Sequence, residues 1–185
     1  VKLSHDHGIE LPEPVDVVVC DHVGYFGFDY GIVHALQDAR RRFLKPGGRL
    51  IPTRIKLWLA AIESEDCNRR ADGWKADGVP PEFHWLRHHA ANATHGVEVP
   101  RDALLGTPVQ VAEIDLRTDN PDLCSWMAEV RIARNGVMHG LIGWFECELA
   151  EGVWMTNSPL SDHAIRRPQA FLPINEGVVV RAGDR

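Results

Sequence analysis

The stretch that decides the fold runs from Pro14 to Thr53: PVDVVVCDHVGYFGFDYGIVHALQDARRRFLKPGGRLIPT. Val15 to Cys20 is a β-branched, largely apolar run. That is the pattern of a strand covered on both faces, as in a parallel sheet. Asp21 is the first acid past its end, and α/β sheets place their chemistry at the carboxyl ends of their strands. Gly24, Gly27 and Gly31 break the next residues into a loop. Ile32 to Leu44 then has helical periodicity: Ile32, Val33, Leu36, Ala39, Phe43 and Leu44 form one apolar stripe, with Asp38 and Arg40 to Arg42 off it on a solvated face. Lys45-Pro46-Gly47-Gly48 carries helix-ending chemistry, a cation followed by glycines able to take positive φ. Arg49 to Pro52 starts a second strand, so strand, helix and strand make a βαβ-like unit.

Beyond Thr53 the pattern changes. Ile55 to Ile62 is long and apolar. Cys67 to Pro100 is irregular, with Trp74, Phe83 and Trp85 among polar residues and a short helix expected near Phe83 to Ala91. From Val109 onward the alternation is that of antiparallel β structure. Val109, Val111 and the later Ile114 and Leu116 suggest a strand with a break or bulge. Ala128 to Arg134 alternates cleanly into Asn135-Gly136, the strongest short hairpin signal. Such a hairpin would set Arg134 against Val137, Ile132 against His139 and Val130 against Leu141. Gln169 to Leu172 and Val178 to Val180 are further short strands. The chain therefore divides near Pro52-Thr53: 1–52 is a fragment of a parallel α/β sheet, and 53–185 is an antiparallel sheet or barrel.

The 185 residues carry a formal net charge of -6 with acids and bases interleaved. No basic stripe exists, so nucleic acid is not expected as the main partner. No apolar run approaches the length of a membrane helix, and the polar first residues do not resemble a signal peptide. The four cysteines, at 20, 67, 124 and 147, share no metal or redox spacing; a cytoplasmic protein with reduced thiols is expected. His5-Asp6-His7 and the trio His84, His88 and His89 have possible ligand spacing. No carboxylate or cysteine completes either, and both are read as surface histidines with no metal.

Together, LPEPVDVVVCDHVGYFGFDYG and DARRRFLKPGGRLIPTRIKLWLAAIES resemble the middle of a protein arginine methyltransferase. That family has a strand ending in an acid, then Gly-Tyr-Phe, a second acid, a helix, Pro-Gly-Gly, a strand ending in Ile-Pro and an apolar strand opening a β-barrel. Residues 10–64 carry the resemblance well. Trp74, Asn92 and PQAFLP near the end extend it more weakly. It implies the C-terminal part of a doubly wound, Rossmann-like methyltransferase sheet, followed by an antiparallel β-barrel with a helical arm insertion at 66–100. The arm's aromatics would pack on a partner subunit, giving a homodimer, or else on their own barrel. S-adenosylmethionine is the implied cofactor. The family's glycine-rich cofactor turn does not occur in these residues, so the chain looks like an internal portion of a larger enzyme, with an exposed sheet edge and exposed apolar faces.

Methyl transfer from a sulfonium is an in-line displacement that depends on alignment. By the resemblance, two acids on the loop hold a guanidinium bidentately. Asp21 occupies the first position, as substrate-positioning residue and possible cofactor neighbour. At the second position stands Tyr30, with Asp29 just before it; Asp29 would serve only if the loop shifted by one residue. His163, in SDHAIRRPQ, stands in for a family histidine that would orient Asp21 or accept a proton, and Arg166 and Arg167 are alternatives for an anionic substrate group. His7 is a candidate cofactor contact. The expected activity is methyl transfer from S-adenosylmethionine to a nitrogen, or an oxygen, of a protein or small-molecule acceptor. The alternatives are a small-molecule methyltransferase of the same fold and a non-catalytic dimerising barrel module that has lost cofactor binding.

Overall fold

The computed structural model describes residues 9–121 and 125–185. Strand β1 (Val15–Val19) lies parallel to β2 (Leu44–Ile51), with helix α1 (Ile32–Arg42) between them in sequence. The helix buries Ile32, Val33, Leu36 and Ala39, the expected stripe. It ends two residues earlier than the periodicity suggests, where Phe43 N–H bonds Ala39 O at 2.9 Å. The pairing then jumps from Val15 opposite Leu44 to Val17 opposite Arg49. The Lys45-Pro46-Gly47-Gly48 turn is therefore a bulge within β2, with Gly47 at φ 77°.

Two readings of this unit change. β1 is not covered on both faces, because Val17 and Val19 remain 46% and 68% exposed. Among the described residues β1 has one sheet neighbour, β2. Nor are the three arginines simply solvated. Arg40 and Arg41 both hold Asp119, while Arg42 pairs with Asp38 and donates to Ile9 O. Arg40 and Arg41 thereby fasten the chain after residue 115 to the helix.

The Ile51–Pro52 peptide is cis, and beyond it the chain enters an antiparallel sheet. β3 (Arg54–Ile62), β4 (His95–Val97), β6 (Val109–Asp115), β8 (Gly136–Ala150) and β10 (Gln169–Val180) run in the order β4-β10-β8-β3-β6. β9 (Val153–Thr156) also pairs with β8. Short β5 (Gly106–Thr107) pairs with β7 (Arg131–Ile132). The expected bulge in β6 falls between its pairings with Leu57 and Trp58. The two expected C-terminal strands are one, β10, whose pairing with β8 shifts register between Pro173 and Val178.

Alternation along β3 and β8 divides the core. Ile55, Leu57, Phe145 and Cys147 face α1 and the loop before it. Ala60, Ile62, Ile142 and Trp144 face the other way and pack with Val97, Val99 and Phe171.

The Asn135-Gly136 hairpin does not form. A two-residue turn of that kind needs positive φ, and Gly136 is not among the positive-φ glycines. Glu63 takes the residues the turn would have used. Its carboxylate accepts from the Arg134 side chain and, at 2.7 Å, from Val137 N–H. Arg134 N–H goes to Leu105 O, Asn135 Oδ1 receives Ala182 N–H, and residues 136–138 pair with Val178–Val180. Long-range partners therefore replace the local ones.

Residues 65–91 contain two helices, α2 (Glu65–Asp72) and α3 (Leu86–Ala91), of which only the second was expected. Ser64 caps α2 by accepting Cys67 N–H at 3.2 Å, and Glu65 and Asp66 fill the first turn. An Arg87–Asp72 ion pair at 2.5 Å ties the two helices. Trp74, Phe83 and Trp85 are all exposed large hydrophobics.

Candidate functional site

Residues 21–30 leave the end of β1 and enter α1 through Gly31. They form a loop pressed flat on the sheet. At Gly27, φ is +88°, and a side chain would begin 2.8 Å from Phe145 Cβ and 2.9 Å from Ile55 Cγ2. Only glycine fits there, by conformation and by space. On either side of it, the Phe26 ring occupies the room beside Gly143, and the Tyr25 ring lies against Gly96 in β4.

Polar side chains fix the backbone of this loop from three directions. Asp29 accepts from Tyr25 N–H and Phe26 N–H, each at 2.9 Å. Asn157, fully buried, donates through Nδ2 to Tyr25 O at 2.9 Å and to Pro168 O at 2.8 Å. Its Oδ1 accepts Phe145 N–H at 3.0 Å, and Gln169 Nε2 donates to its carbonyl at 2.7 Å. Arg167 Nη1 reaches Gly24 O at 3.2 Å. The loop's shape is therefore dictated by residues more than 130 positions away as well as by its own Asp29. Sequence reasoning missed the roles of Asn157, which before Ser158-Pro159 reads as turn composition, and of Gln169, which reads only as the first residue of a strand. Their one visible signal was position, flanking the loop after an apolar strand.

The candidate residues separate into two groups. Asp21 stands exposed at the strand end, where its carbonyl accepts Val23 N–H at 2.8 Å. Among the described residues its carboxylate has no hydrogen-bond or ion-pair partner. Asp29 is exposed but already occupied with loop amides, so it is not free to shift into a second clamping position. Tyr30 is 54% exposed and meets Tyr25 edge-on, with ring centroids 5.7 Å apart. A hydrogen bond with Tyr25, then burial and the charge of Asp29, hold its phenol above the ordinary range, against the pull of Arg167. His163 is exposed, its N–H on Ser161 Oγ at 3.2 Å. No hydrogen bond joins its ring to Asp21. His7 lies outside the described residues, as do His5 and Asp6. Arg167 thus holds the loop's backbone while standing close enough to Tyr30 to act on its phenol.

Cys147 is fully buried behind the loop, and burial pushes its thiol up to about 12. Burial also raises Cys67 and Cys20. No group of three His, Cys, Asp or Glu side chains converges on a metal position among the described residues. His84 Nε2 lies 3.1 Å from Val79 O, and His89 packs edge-on to Trp85. No helix among these residues is long and apolar enough to cross a membrane.

No protein-family profile matches the chain. Individual proteins do. It is 26% identical over 182 residues to protein arginine N-methyltransferase 1 of Schizosaccharomyces pombe, covering 95% of this chain and 53% of that protein. It is 24% identical to protein arginine N-methyltransferase PRMT10 of Arabidopsis thaliana, over 95% of this chain and 55% of that one. It is 29% identical to the histone-arginine methyltransferase CARMER of Drosophila yakuba, over 82% and 31%. The fold matches the Trypanosoma brucei PRMT1 enzyme-prozyme heterotetrameric complex with AdoHcy at a TM-score of 0.76, with 18% identity and coverage of 95% and 57%. It matches the open conformation of Arabidopsis thaliana protein arginine methyltransferase 10 at 0.67, with 21% identity and coverage of 95% and 60%. The chain spans about half the length of the curated relatives named first. In sequence and in fold it is protein arginine methyltransferase-like over that half.

Proposed function

We propose that this chain forms the acceptor-side half of a methyltransferase that takes its methyl group from S-adenosylmethionine, with Asp21 positioning the nucleophile. The observation that carries this reading is the loop at 21–30. It is held in place at Gly24, Tyr25, Phe26 and Gly27, yet it leaves the Asp21 carboxylate exposed and, among the described residues, unpartnered. An in-line transfer needs that combination, a fixed frame with one acceptor-facing group free. Residues 1–52 would supply the edge of the methyltransferase sheet, 53–185 the barrel, and 66–100 the dimerisation arm through exposed Trp74, Phe83 and Trp85. Residues that would complete a cofactor site, including the candidate contact His7, lie outside the described part.

With Asp29 committed to Tyr25 and Phe26, the loop offers one carboxylate without a partner among the described residues, that of Asp21, and it also carries the phenol of Tyr30. A bidentate two-acid clamp on a guanidinium is not built from these residues. The acceptor that suits them is an amine, or another neutral nitrogen or oxygen nucleophile, bound through one charge-assisted contact. His163 would have to swing in to take part.

The test is transfer of a labelled methyl from S-adenosylmethionine by the full chain, offered an arginine-rich peptide and a panel of small amines. Asp21→Ala is expected to lower kcat/KM by about 100-fold, the scale of one lost charged contact. Equal activity in Asp21→Ala would remove Asp21 from the mechanism. A second reading is favoured by Tyr30 standing where the resembled family has its second acid: a non-catalytic subunit that supports another chain. One structural neighbour is itself an enzyme-prozyme heterotetramer. Calorimetry with S-adenosylhomocysteine separates the two, since tight binding to this chain alone sinks the non-catalytic reading.

A further inference from the structure

On the face of β3 and β8 turned away from the loop, a groove of about 400 Å³ is bordered by Trp58, Trp144, Glu146, Thr156, Ser158 and Leu160. Trp58 and Trp144 are direct cross-strand partners, and Glu146 lies two residues along β8 from Trp144, on the same face. Glu146 is partly buried, and among the described residues its carboxylate has no hydrogen-bond or ion-pair partner. Lys56 stands directly opposite it in the register but does not pair with it. Its Nζ lies instead 4.6 Å over the Trp154 ring. Trp58 Nε1 is one of two buried side-chain polar atoms without a partner among these residues; it is a donor, so a ligand that carries only N–H groups meets the face of this indole and not that atom. The remaining acids and bases of this strand face satisfy one another, Arg54 bonding Glu148 at 2.7 Å and Glu113 at 3.2 Å.

A carboxylate without an ion-pair partner among the described residues, set beside two indoles, defines the kind of ligand the groove can take. We infer that this groove binds the guanidinium of an arginine side chain presented by a peptide, stacked against Trp58 and paired with Glu146. A planar guanidinium can stack on an indole and present two N–H groups to one carboxylate at the same time. An ammonium has no planar face to stack and is more strongly hydrated, and a quaternary ammonium has no N–H to give Glu146. Ser158 and Ser161 already accept backbone N–H groups, which leaves their hydroxyl hydrogens free for a peptide carbonyl along the rim. The site stands apart from Asp21 and does not depend on methyl transfer by this chain.

The experiment follows the indole Nε1–H resonances of Trp58 and Trp144 in the 15N-labelled full chain. N-acetyl-arginine amide is added at constant ionic strength, and N-acetyl-lysine amide serves as the comparison. The expected result is a saturable shift of both signals with the arginine compound, at least about threefold weaker with lysine. Glu146→Gln, whose parent side chain makes no internal bond, should fold normally and weaken binding by about tenfold or more, while Trp58→Leu should weaken it as well. No saturable shift at concentrations on the order of 10 mM would overturn the proposal at the low affinity expected of so small a ligand. So would equal affinity in Glu146→Gln, or equal affinity for arginine and lysine.

Discussion

The two faces of the β3–β8 pair are finished differently. On one, the loop at 21–30 is laid down with its backbone polar groups answered: Gly24 O by Arg167, Tyr25 N–H by Asp29, Tyr25 O by Asn157 and Phe26 N–H by Asp29. On the other, among the described residues, the Glu146 carboxylate has no hydrogen-bond or ion-pair partner and Trp58 Nε1 has no acceptor. A satisfied buried network specifies a single geometry, whereas unsatisfied groups await something from outside. The first face holds a frame still, and the second is left open. Substitutions should therefore be expensive on the first face, and on the second they should alter binding more than folding.

The severest break is Gly27→Val. It puts a β-branched residue at φ +88° and drives its Cβ into Phe145 and Ile55. Left-handed strain and overpacking together should cost about 4 kcal/mol, read as a shift in the urea midpoint at constant slope. A loss below about 1 kcal/mol would mean that the loop can lift from the sheet, and that its fixed geometry is not needed for folding.

Next comes Asn157→Leu, which keeps the volume roughly but strands Tyr25 O, Pro168 O and Phe145 N–H. Leaving such groups unpaired in the interior should cost about 3 kcal/mol. The loss should appear locally too, with amide exchange at Tyr25 and Phe26 rising more than exchange in the middle of β3. Uniform acceleration over the whole sheet would show that Asn157 supports the fold in general and not the loop in particular.

What was legible beforehand follows the same division between local and distant causes. The β1–α1–β2 unit could be read because its determinants are local: a β-branched run, a 3.6-residue stripe and a helix-ending turn. The bulge in β6 fell within the strand where the sequence marks a break or bulge. The hairpin at Asn135-Gly136 was misread because its turn signal is local while its competitors are not. Glu63 captures Arg134 and Val137, and Val178–Val180 pair with residues 136–138. Asn157 and Gln169 were invisible for the same reason, as their partners lie at Tyr25, Phe145 and Val99. Asp29 is a subtler case. It was weighed as a substrate ligand or loop residue, and only the folded geometry places both its oxygens on loop amides. Helix α2 had a readable start in Ser64-Glu65-Asp66, but its eight residues lack a wide apolar stripe, burying only Cys67 and Ala71.

The smallest effect on the closed face is also the most specific to it, and it comes from Cys147. Burial raises this thiol from 9.0 to about 12. Because the folded value is above the unfolded one, the thiol's contribution to stability is fully present below pH 9 and is lost as pH rises toward about 12. By pH 10 the unfolded chain has released most of this proton and the folded one has not, a difference of about 1.4 kcal/mol. Cys147→Ala leaves a cavity whose cost does not depend on pH. The measurement is therefore a comparison of slopes: between pH 8 and 10 the parent protein should lose about 1.4 kcal/mol more stability than Cys147→Ala. Parallel slopes would mean that the thiol ionises in the folded protein as readily as in water, and hence that solvent reaches behind the loop. In that case the face described as closed would be as open as the one that carries Glu146.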